Sequence, residues 1–181
     1  MKKFFTWLAA VVLAAVLGFA VQAPAWAAPY CGLTWGSLAK SGQDAGTASV
    51  TNVRTGQHYC FDRLVVDLNG PAVSYTVQYV PRIEQEGSGA FIPVRGGARL
   101  HVSIKAPSYD QNGNPTYNPA DRNELSNVSG YQTFRQVVSA GSFEGYTSLG
   151  LGVRGRLPFR VFTLDGPGTG SRLVIDVAHF W

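Results

Sequence analysis

One strand-like segment occurs twice in the sequence, at residues 63–68 and again at residues 172–177. The first copy reads Arg-Leu-Val-Val-Asp-Leu and the second reads Arg-Leu-Val-Ile-Asp-Val. Both are rich in β-branched residues and alternate between two faces, which predicts a strand with one buried side. The copies are too far apart for a solenoid repeat and close enough to share a domain. We therefore expect them to be the first and last main strands of a single β-structure.

Alternating hydrophobic runs and turn signals fill the sequence between the two copies. The runs cover residues 73–80, 100–104, 131–138, 146–153 and 159–164, and Asn-Gly-Pro, Gly-Ser-Gly and Asp-Gly-Pro-Gly turns separate them. With 21 glycines and 10 prolines, no window suits a long amphipathic helix, although residues 118–125 could form one short helical turn. About seven to nine short, mostly antiparallel strands are typical of a sandwich or a small barrel. The sequence thus predicts an all-β fold.

The first 27 residues have the pattern of an export signal. Lys2 and Lys3 precede an uncharged apolar run of about 18 residues, and Ala-Trp-Ala at residues 25–27 provides a small-residue cleavage site. An uncleaved membrane anchor is the alternative interpretation of the same run. We expect cleavage before Ala28, a secreted or cell-envelope location, and no membrane association after cleavage.

The two cysteines, Cys31 and Cys60, form an even pair in an exported chain, where a disulfide is the default. The bond would close a loop of about 30 residues, which is worth about 3 kcal/mol in the chain-entropy model. Lipidation of Cys31 is disfavoured because the bulky Tyr30 precedes it. A zinc site is disfavoured because nothing near Cys31 supplies further ligands. We expect a disulfide, and neither a metal nor another cofactor.

The mature chain of about 154 residues is long enough for one domain with its own core. We expect a lead segment at residues 28–47, followed by a β-domain at residues 48–181 with a long Pro- and Asn-rich loop at residues 106–127. Long loops on a β-scaffold often carry binding function, and this one contains Tyr109 and Tyr117. The formal charge of +4 includes Lys2 and Lys3, and the remaining basic residues are scattered. This pattern excludes a nucleic-acid partner.

Two motifs suggest chemistry that their surroundings do not support. Residues 150–155 match G-x-G-x-x-G, but no helix follows to hold a pyrophosphate, so we expect a glycine-containing strand with a bend or bulge. Residues 110–121 place Asp, Asn and Thr in a calcium-loop register, yet Pro115 stands where glycine is needed and Asp121 where glutamate is needed. Asx-rich turns produce the same pattern.

No nucleophile motif accompanies the three histidines, His58, His101 and His179. A carboxylate pair for glycoside hydrolysis depends on spatial separation, so the sequence alone leaves it open. With neither a catalytic signature nor a reduced cysteine, we expect no enzyme activity.

The repeated segments place arginine and aspartate on the face opposite Leu64, Val66 and Leu68. Cross-strand Arg–Asp pairs on a solvated face would be worth about 0.2–1 kcal/mol each. The functional alternative is a polar strip to which a glycan or peptide could hydrogen-bond. The candidate ligand surface therefore consists of Arg63, Asp67, Arg172 and Asp176, together with Tyr109 and Tyr117 of the loop.

The two repeated segments, residues 60–67, 75–80 and 157–162, and Thr-Trp-Gly-Ser at residues 34–37 resemble the AMIN domain, and especially its AMIN-like relatives in secreted actinobacterial proteins. The resemblance covers residues 31–180 and implies a β-sandwich of two sheets. It also implies a cell-envelope role, since AMIN domains target amidases and secretin complexes to peptidoglycan. We expect a secreted, non-catalytic module that associates with peptidoglycan or another envelope glycan. The alternative is an interaction domain that binds an envelope protein through a sheet edge or the 106–127 loop.

Overall fold

The computed structural model describes residues 30–181, so the predicted export signal at residues 1–27 lies outside the described residues. The fold is all-β, as the sequence predicts. The described part contains eleven strands and one 3₁₀ turn, Tyr30–Gly32. Between residues 30 and 181 there is no helix with the length and apolarity needed to span a membrane.

Two antiparallel sheets form a sandwich. The strands are β1 (Lys40–Ala45), β2 (Val50–Gln57), β3 (Phe61–Leu68), β4 (Val73–Val80), β5 (Ile83–Glu84), β6 (Phe91–Ile92), β7 (Ala98–Ile104), β8 (Phe134–Phe143), β9 (Tyr146–Val153), β10 (Phe159–Asp165) and β11 (Ser171–Ala178). One sheet has five strands in the order β1-β4-β7-β9-β8, the other has four in the order β10-β11-β3-β2, and β5 pairs with β6 in a separate hairpin. The copies of the repeated segment, β3 and β11, are therefore neighbours at the centre of the four-stranded sheet.

The main core lies between the two sheets and contains the side chains that the alternation predicts. Each fully buried aliphatic side chain contributes about 1.5–3 kcal/mol relative to exposure, so this set dominates the stability. The strands β3, β11, β4 and β7 alone supply Leu64, Val66, Leu68, Leu173, Ile175, Val177, Val73, Val77, Leu100, Val102 and Ile104 to the core.

Three local features differ from the sequence-based expectation. The strand count exceeds nine because the two-residue strands β5 and β6 add a hairpin and because β1 lies inside the predicted lead segment. The strand β8 begins at Phe134 rather than Tyr131. No helical turn forms at residues 118–125, where the backbone bonds to β8 instead: the Leu125 amide donates to the Val137 carbonyl at 2.9 Å.

The loop at residues 106–127 closes one side of the sandwich between the edge strands β2 and β8. On β2, the Val50 amide donates to the Pro107 carbonyl at 2.8 Å, and the Thr116 hydroxyl donates to the Val50 carbonyl at 2.7 Å. On β8, the Ser139 amide donates to the Arg122 carbonyl at 2.8 Å. The loop therefore occupies backbone groups that an edge strand would otherwise offer to another chain.

The predicted disulfide between Cys31 and Cys60 is present, with 6.4 Å between the Cα atoms. It connects the beginning of the described chain to the turn that leads into β3. No free cysteine occurs among residues 30–181.

The glycines of the G-x-G-x-x-G string allow the β5–β6 hairpin and its flanking segment to lie against the five-stranded sheet. Gly150 and Gly152 belong to β9, and a Cβ on Gly150 would lie 2.8 Å from Val138 and 2.9 Å from Ile83. The predicted strand is confirmed, whereas the bulges lie on β8, its hydrogen-bonded neighbour in the same sheet. These glycines permit close packing. They do not form a phosphate site, because no helix follows them.

Candidate functional site

The repeated segments bring arginine and aspartate together at the centre of the four-stranded sheet. In the register of β3 and β11, Arg63 lies opposite Asp176, and Arg172 lies opposite Asp67. Arg63 donates to Asp176 from Nε at 2.6 Å and from Nη2 at 2.8 Å. Asp67 instead accepts two bonds, at 2.8 and 2.9 Å, from Arg54 of the edge strand β2. The predicted cross-strand pairing is thus confirmed for Arg63–Asp176 and wrong for Arg172–Asp67.

Asp176 is enclosed and not solvated, which corrects the expectation that both aspartates face water. Its side chain is 0% exposed, whereas that of Asp67 remains 23% exposed. Both aspartates lie on central strands, and the difference arises because β10, the neighbour of β11, supplies a second guanidinium to Asp176. Arg160 places Nε 2.8 Å and Nη2 2.7 Å from the Asp176 Oδ2. Charge-assisted bonds from both sides compensate the desolvation of the carboxylate.

Aromatic rings surround the two guanidinium groups. The Cζ of Arg160 lies 5.5 Å from the Trp35 ring, 5.3 Å from Phe61 and 5.0 Å from Phe162. The Cζ of Arg63 lies 5.1 Å from Phe61 and 5.5 Å from Phe162. These distances are within the range of cation–π attraction. We call the group the arginine face; it consists of Trp35, Phe61, Arg63, Arg160, Phe162 and Asp176.

The arginine face keeps hydrogen-bond donors that the protein itself does not use. Both guanidinium groups engage Asp176 through Nε and Nη2, and neither Nη1 bonds to a residue in the described part of the chain. The side chains of Arg63 and Arg160 are 24% and 27% exposed. Two positive charges oppose one negative charge, so the face can attract a carboxylate and donate to it.

The remaining residues of the predicted ligand surface lie elsewhere. Tyr109 and Tyr117 line a cleft of about 400 Å³ beneath the 106–127 loop. Arg172 donates from Nη2 to the Asp165 carbonyl at 3.0 Å. The structure therefore brings Arg63 and Asp176 into one cluster and places the two tyrosines in a separate one. That any of these residues binds a ligand stays a prediction.

Sequence reasoning missed Arg160, Phe61 and Phe162 as members of the arginine face. The available signal was the alternation in β10, where Arg160 and Phe162 share the face opposite the buried Phe159. What the sequence could not supply was the strand order, which places β10 beside β11 and so places Arg160 over Asp176.

A buried Asp62–His179 pair joins the two sheets at one end of the sandwich. Both side chains are almost fully buried, with His179 Nε2 3.1 Å from Asp62 Oδ1. The other oxygen, Oδ2, accepts from the backbone amides of Thr133 at 2.6 Å and Phe134 at 2.9 Å. The carboxylate thus ties β3 and the end of β11 to the start of β8. The pair has a structural role and links the two sheets, because its groups are enclosed and face no cleft that could admit a substrate.

The calcium-register segment is explained by local turn chemistry. Asp110 Oδ1 accepts from the amides of Asn112 and Asn114 at 2.8 Å each, and the Asn114 side chain bonds to Oδ2 at 3.1 Å. These bonds, led by the Asn114 side chain, lower the pKa of Asp110. Across residues 30–181, no group of three or more His, Cys, Asp or Glu side chains could hold a metal ion.

The fold and the arginine face define a class of protein: a small disulfide-linked β-sandwich that presents aromatic rings and guanidinium groups on one sheet. The model of the AMIN-like domain matches residues 48–179, and the chain belongs to the AMIN-like domain family. No curated protein and no solved structure matches the chain. AMIN-like domains are extracytoplasmic, cell-wall-related modules and are generally non-catalytic. The disulfide fits an oxidising compartment.

Proposed function

We propose that the protein is a secreted, non-catalytic module that associates with the cell wall by binding peptidoglycan through the arginine face. Family membership supports the cell-wall role, and the export signal predicted from the sequence supports secretion. The observation that carries the choice of ligand is the pair of guanidinium groups, fixed by one buried carboxylate and bordered by three aromatic rings.

The chemistry of peptidoglycan fits this arrangement. Its stem peptides carry free carboxylates, which planar guanidinium groups bind in a directional manner. Its sugar rings present apolar C–H faces, which pack against aromatic side chains. Because Asp176 and the rings already hold Arg63 and Arg160 in place, binding costs little side-chain entropy.

Sedimentation with insoluble peptidoglycan tests the proposal. The chain from Ala28 onward, which contains every described residue, should pellet with the polymer at low salt and be released as salt screens the charges. Peptidoglycan whose stem carboxylates have been converted to amides should retain much less protein. Protein that stays in the supernatant at low salt, or that binds the amidated polymer equally well, would contradict the proposal.

Matched variants assign the binding to the arginine face. Arg160→Gln and Phe162→Ala should each weaken sedimentation several-fold, since each removes one contact while Arg63 still satisfies Asp176. Arg95→Gln and Phe91→Ala are the controls, because these side chains are 61% and 62% exposed and lie outside the face. Equal losses in the test and control variants would show that binding is unspecific.

The alternative function is capture of an envelope protein through a sheet edge. Only part of the sheet edges is open for this, because the 106–127 loop covers two of the four edge strands of the sandwich. Backbone groups of β2 and β8 bond to the 106–127 loop, which leaves the outer edge of β1 and the part of β10 beyond the bridge between Gly36 and Phe159 for such pairing. Deleting residues 108–123 tests the loop version of this alternative. Co-purification of a partner that survives the deletion would argue against the loop.

A further inference from the structure

The 106–127 loop and the β8–β9 hairpin enclose a second site, which lies apart from the arginine face. The cleft of about 400 Å³ is within the size range of small-ligand sites, which is about 300–1,000 Å³. One wall is formed by the loop, including Tyr109 and Tyr117. The other is formed by Gln85, Glu86 and β8–β9, including Thr147. We call this space the loop cleft.

The loop wall is held in place although it contains neither helix nor strand. The loop makes the backbone bonds to β2 and β8 described above. In addition, its Ser108 amide donates to the side-chain hydroxyl of Ser142 in β8 at 3.0 Å. The Tyr109 hydroxyl accepts from the Gly145 amide at 3.2 Å, and the Tyr109 carbonyl accepts from the Ser49 hydroxyl at 3.2 Å. A wall fixed at this many points needs little ordering when a ligand binds.

Glu86 supplies the strongest acceptor in the loop cleft. The buried Ser148 hydroxyl donates to its Oε1, which fixes the carboxylate. The second oxygen, Oε2, accepts no hydrogen bond from any residue between 30 and 181, and no ion pair to Glu86 forms within that range. An ionised carboxylate oxygen has room for about two donors, and vicinal hydroxyl groups of a sugar match that geometry.

The charge in the loop cleft favours a neutral ligand. Glu86 and Arg122 line it with one negative and one positive side chain. The other polar groups, which include Ser139 and Thr147, are neutral hydroxyls. An anion would meet the free carboxylate oxygen, whereas a neutral polyhydroxyl compound can donate to it. The half-buried tyrosine rings provide flat apolar surface for the C–H faces of such a compound.

A second depression makes room for more than one ring. It has a volume of about 310 Å³, is lined by Arg82 and His101, and shares Gln85 and Glu86 with the loop cleft. Glu86 therefore lies where the two spaces adjoin, and a linear ligand can contact it from either side.

We propose that the loop cleft binds a neutral oligosaccharide, with Glu86 accepting hydroxyl donors and Tyr109 and Tyr117 packing against sugar rings. This site does not depend on the arginine face, and its ligand needs no carboxylate. The chain would then hold carboxylate-bearing and neutral parts of a glycan matrix at two separate surfaces.

Titration of the chain from Ala28 onward with tetra-N-acetylchitotetraose and with maltohexaose, followed by NMR and calorimetry, tests the inference. We expect backbone shifts centred on residues 85–86, 108–119 and 139–149 with at least one of the two sugars. Glu86→Gln keeps the bond to Ser148 and should weaken binding roughly 10- to 100-fold, as expected for loss of a charged acceptor. Glu144→Gln, which alters a nearby carboxylate outside the cleft, should leave the affinity unchanged.

Several outcomes would overturn the inference. They are the absence of shifts at millimolar concentrations of both sugars, unaltered affinity in Glu86→Gln, and equal losses in Glu86→Gln and Glu144→Gln. Arg160→Gln separates the two proposals. It should reduce sedimentation with peptidoglycan and leave oligosaccharide affinity intact if both hold. Failure of peptidoglycan binding alongside retained oligosaccharide binding would reject only the first proposal.

Discussion

Replacing Asp176 with asparagine removes the negative charge between Arg63 and Arg160 and leaves the side-chain volume nearly unchanged. The same replacement at Asp67 alters the equivalent position of the other repeated segment. The two aspartates occupy the same position in the repeated segment, yet their surroundings in the structure differ. Asp176 is fully buried between two guanidinium groups, whereas Asp67 pairs with one arginine at the edge of the sheet.

The expected cost follows from burial. Removing one partner of a buried ion pair typically costs about 3–5 kcal/mol, because the remaining charge stays desolvated. Arg63 and Arg160 keep 24% and 27% exposure, so water relieves part of that cost, and we expect about 2–4 kcal/mol for Asp176→Asn. Arg54 is 50% exposed, so Asp67→Asn should cost about 0.2–1 kcal/mol.

Urea unfolding of the chain from Ala28 onward, with the disulfide intact, measures both changes. At an m-value of about 2 kcal/mol/M, the midpoint of Asp176→Asn should lie roughly 0.5–2 M below that of Asp67→Asn. Far-ultraviolet circular dichroism before unfolding checks that both variants retain the β-sandwich.

Equal destabilisation by the two replacements, or a cost below about 1 kcal/mol for Asp176→Asn, would refute this reasoning. A double variant tests its physical basis. If guanidinium charge left without its partner causes the loss, adding Arg160→Gln to Asp176→Asn should cost less than the sum of the single changes by about 1 kcal/mol. Additive costs would mean that the unpaired charge is not the cause.

Three further predictions concern the disulfide, a half-buried histidine and a packed glycine. Replacing Cys31 and Cys60 with serine should lower the free energy of unfolding by about 3 kcal/mol, measured in urea, and reduction of the parent should give the same loss. Burial lowers the pKa of His101 below 6.5, so the folded state favours the neutral ring. As pH falls below 6.5, the unfolded chain gains a proton that the folded chain resists, and stability should decline. His101→Gln should flatten that part of the pH–stability curve, and an unchanged slope would contradict the assignment. Gly152→Ala should cost about 1–3 kcal/mol, because its Cβ would overlap a backbone carbonyl, whereas Gly155→Ala, with nothing within 4 Å of the added Cβ, should be nearly neutral in thermal unfolding.

Much of the fold could be predicted because it depends on short-range patterns. Alternation with a period of two fixes which side chains of β3, β4, β7 and β11 face the core, and glycine-rich turns mark where these strands end. The disulfide was predicted from two cysteines in a chain whose sequence begins with the pattern of an export signal. The helical turn at residues 118–125 was wrong because capping residues describe only local preference, and bonds to β8 outcompeted it.

The candidate sites could be predicted only in part. The repeated segments indicated Arg63 and Asp176, but Arg160 and Phe162 join them only through the order of the strands. Tyr109 and Tyr117 were chosen for their place in a long loop, and Glu86, which faces them across the loop cleft, carries no motif at all. Contacts between residues far apart in the chain depend on how the sheets and loops are arranged.

The sequence by itself predicted an export signal, and it determined that this chain is all-β and disulfide-linked and which faces of its strands are apolar. These properties depend on composition and on residues close together in the chain. The tertiary structure alone decided that two aspartates in closely similar sequence surroundings differ. Both β3 and β11 have neighbours on both sides. Asp176 of β11 binds one arginine from each neighbour, Arg63 of β3 and Arg160 of β10, whereas Asp67 of β3 binds only Arg54 of the edge strand β2 and remains partly in water. Burial and strand neighbours, which no local pattern encodes, separate an enclosed ionic cluster from a surface ion pair.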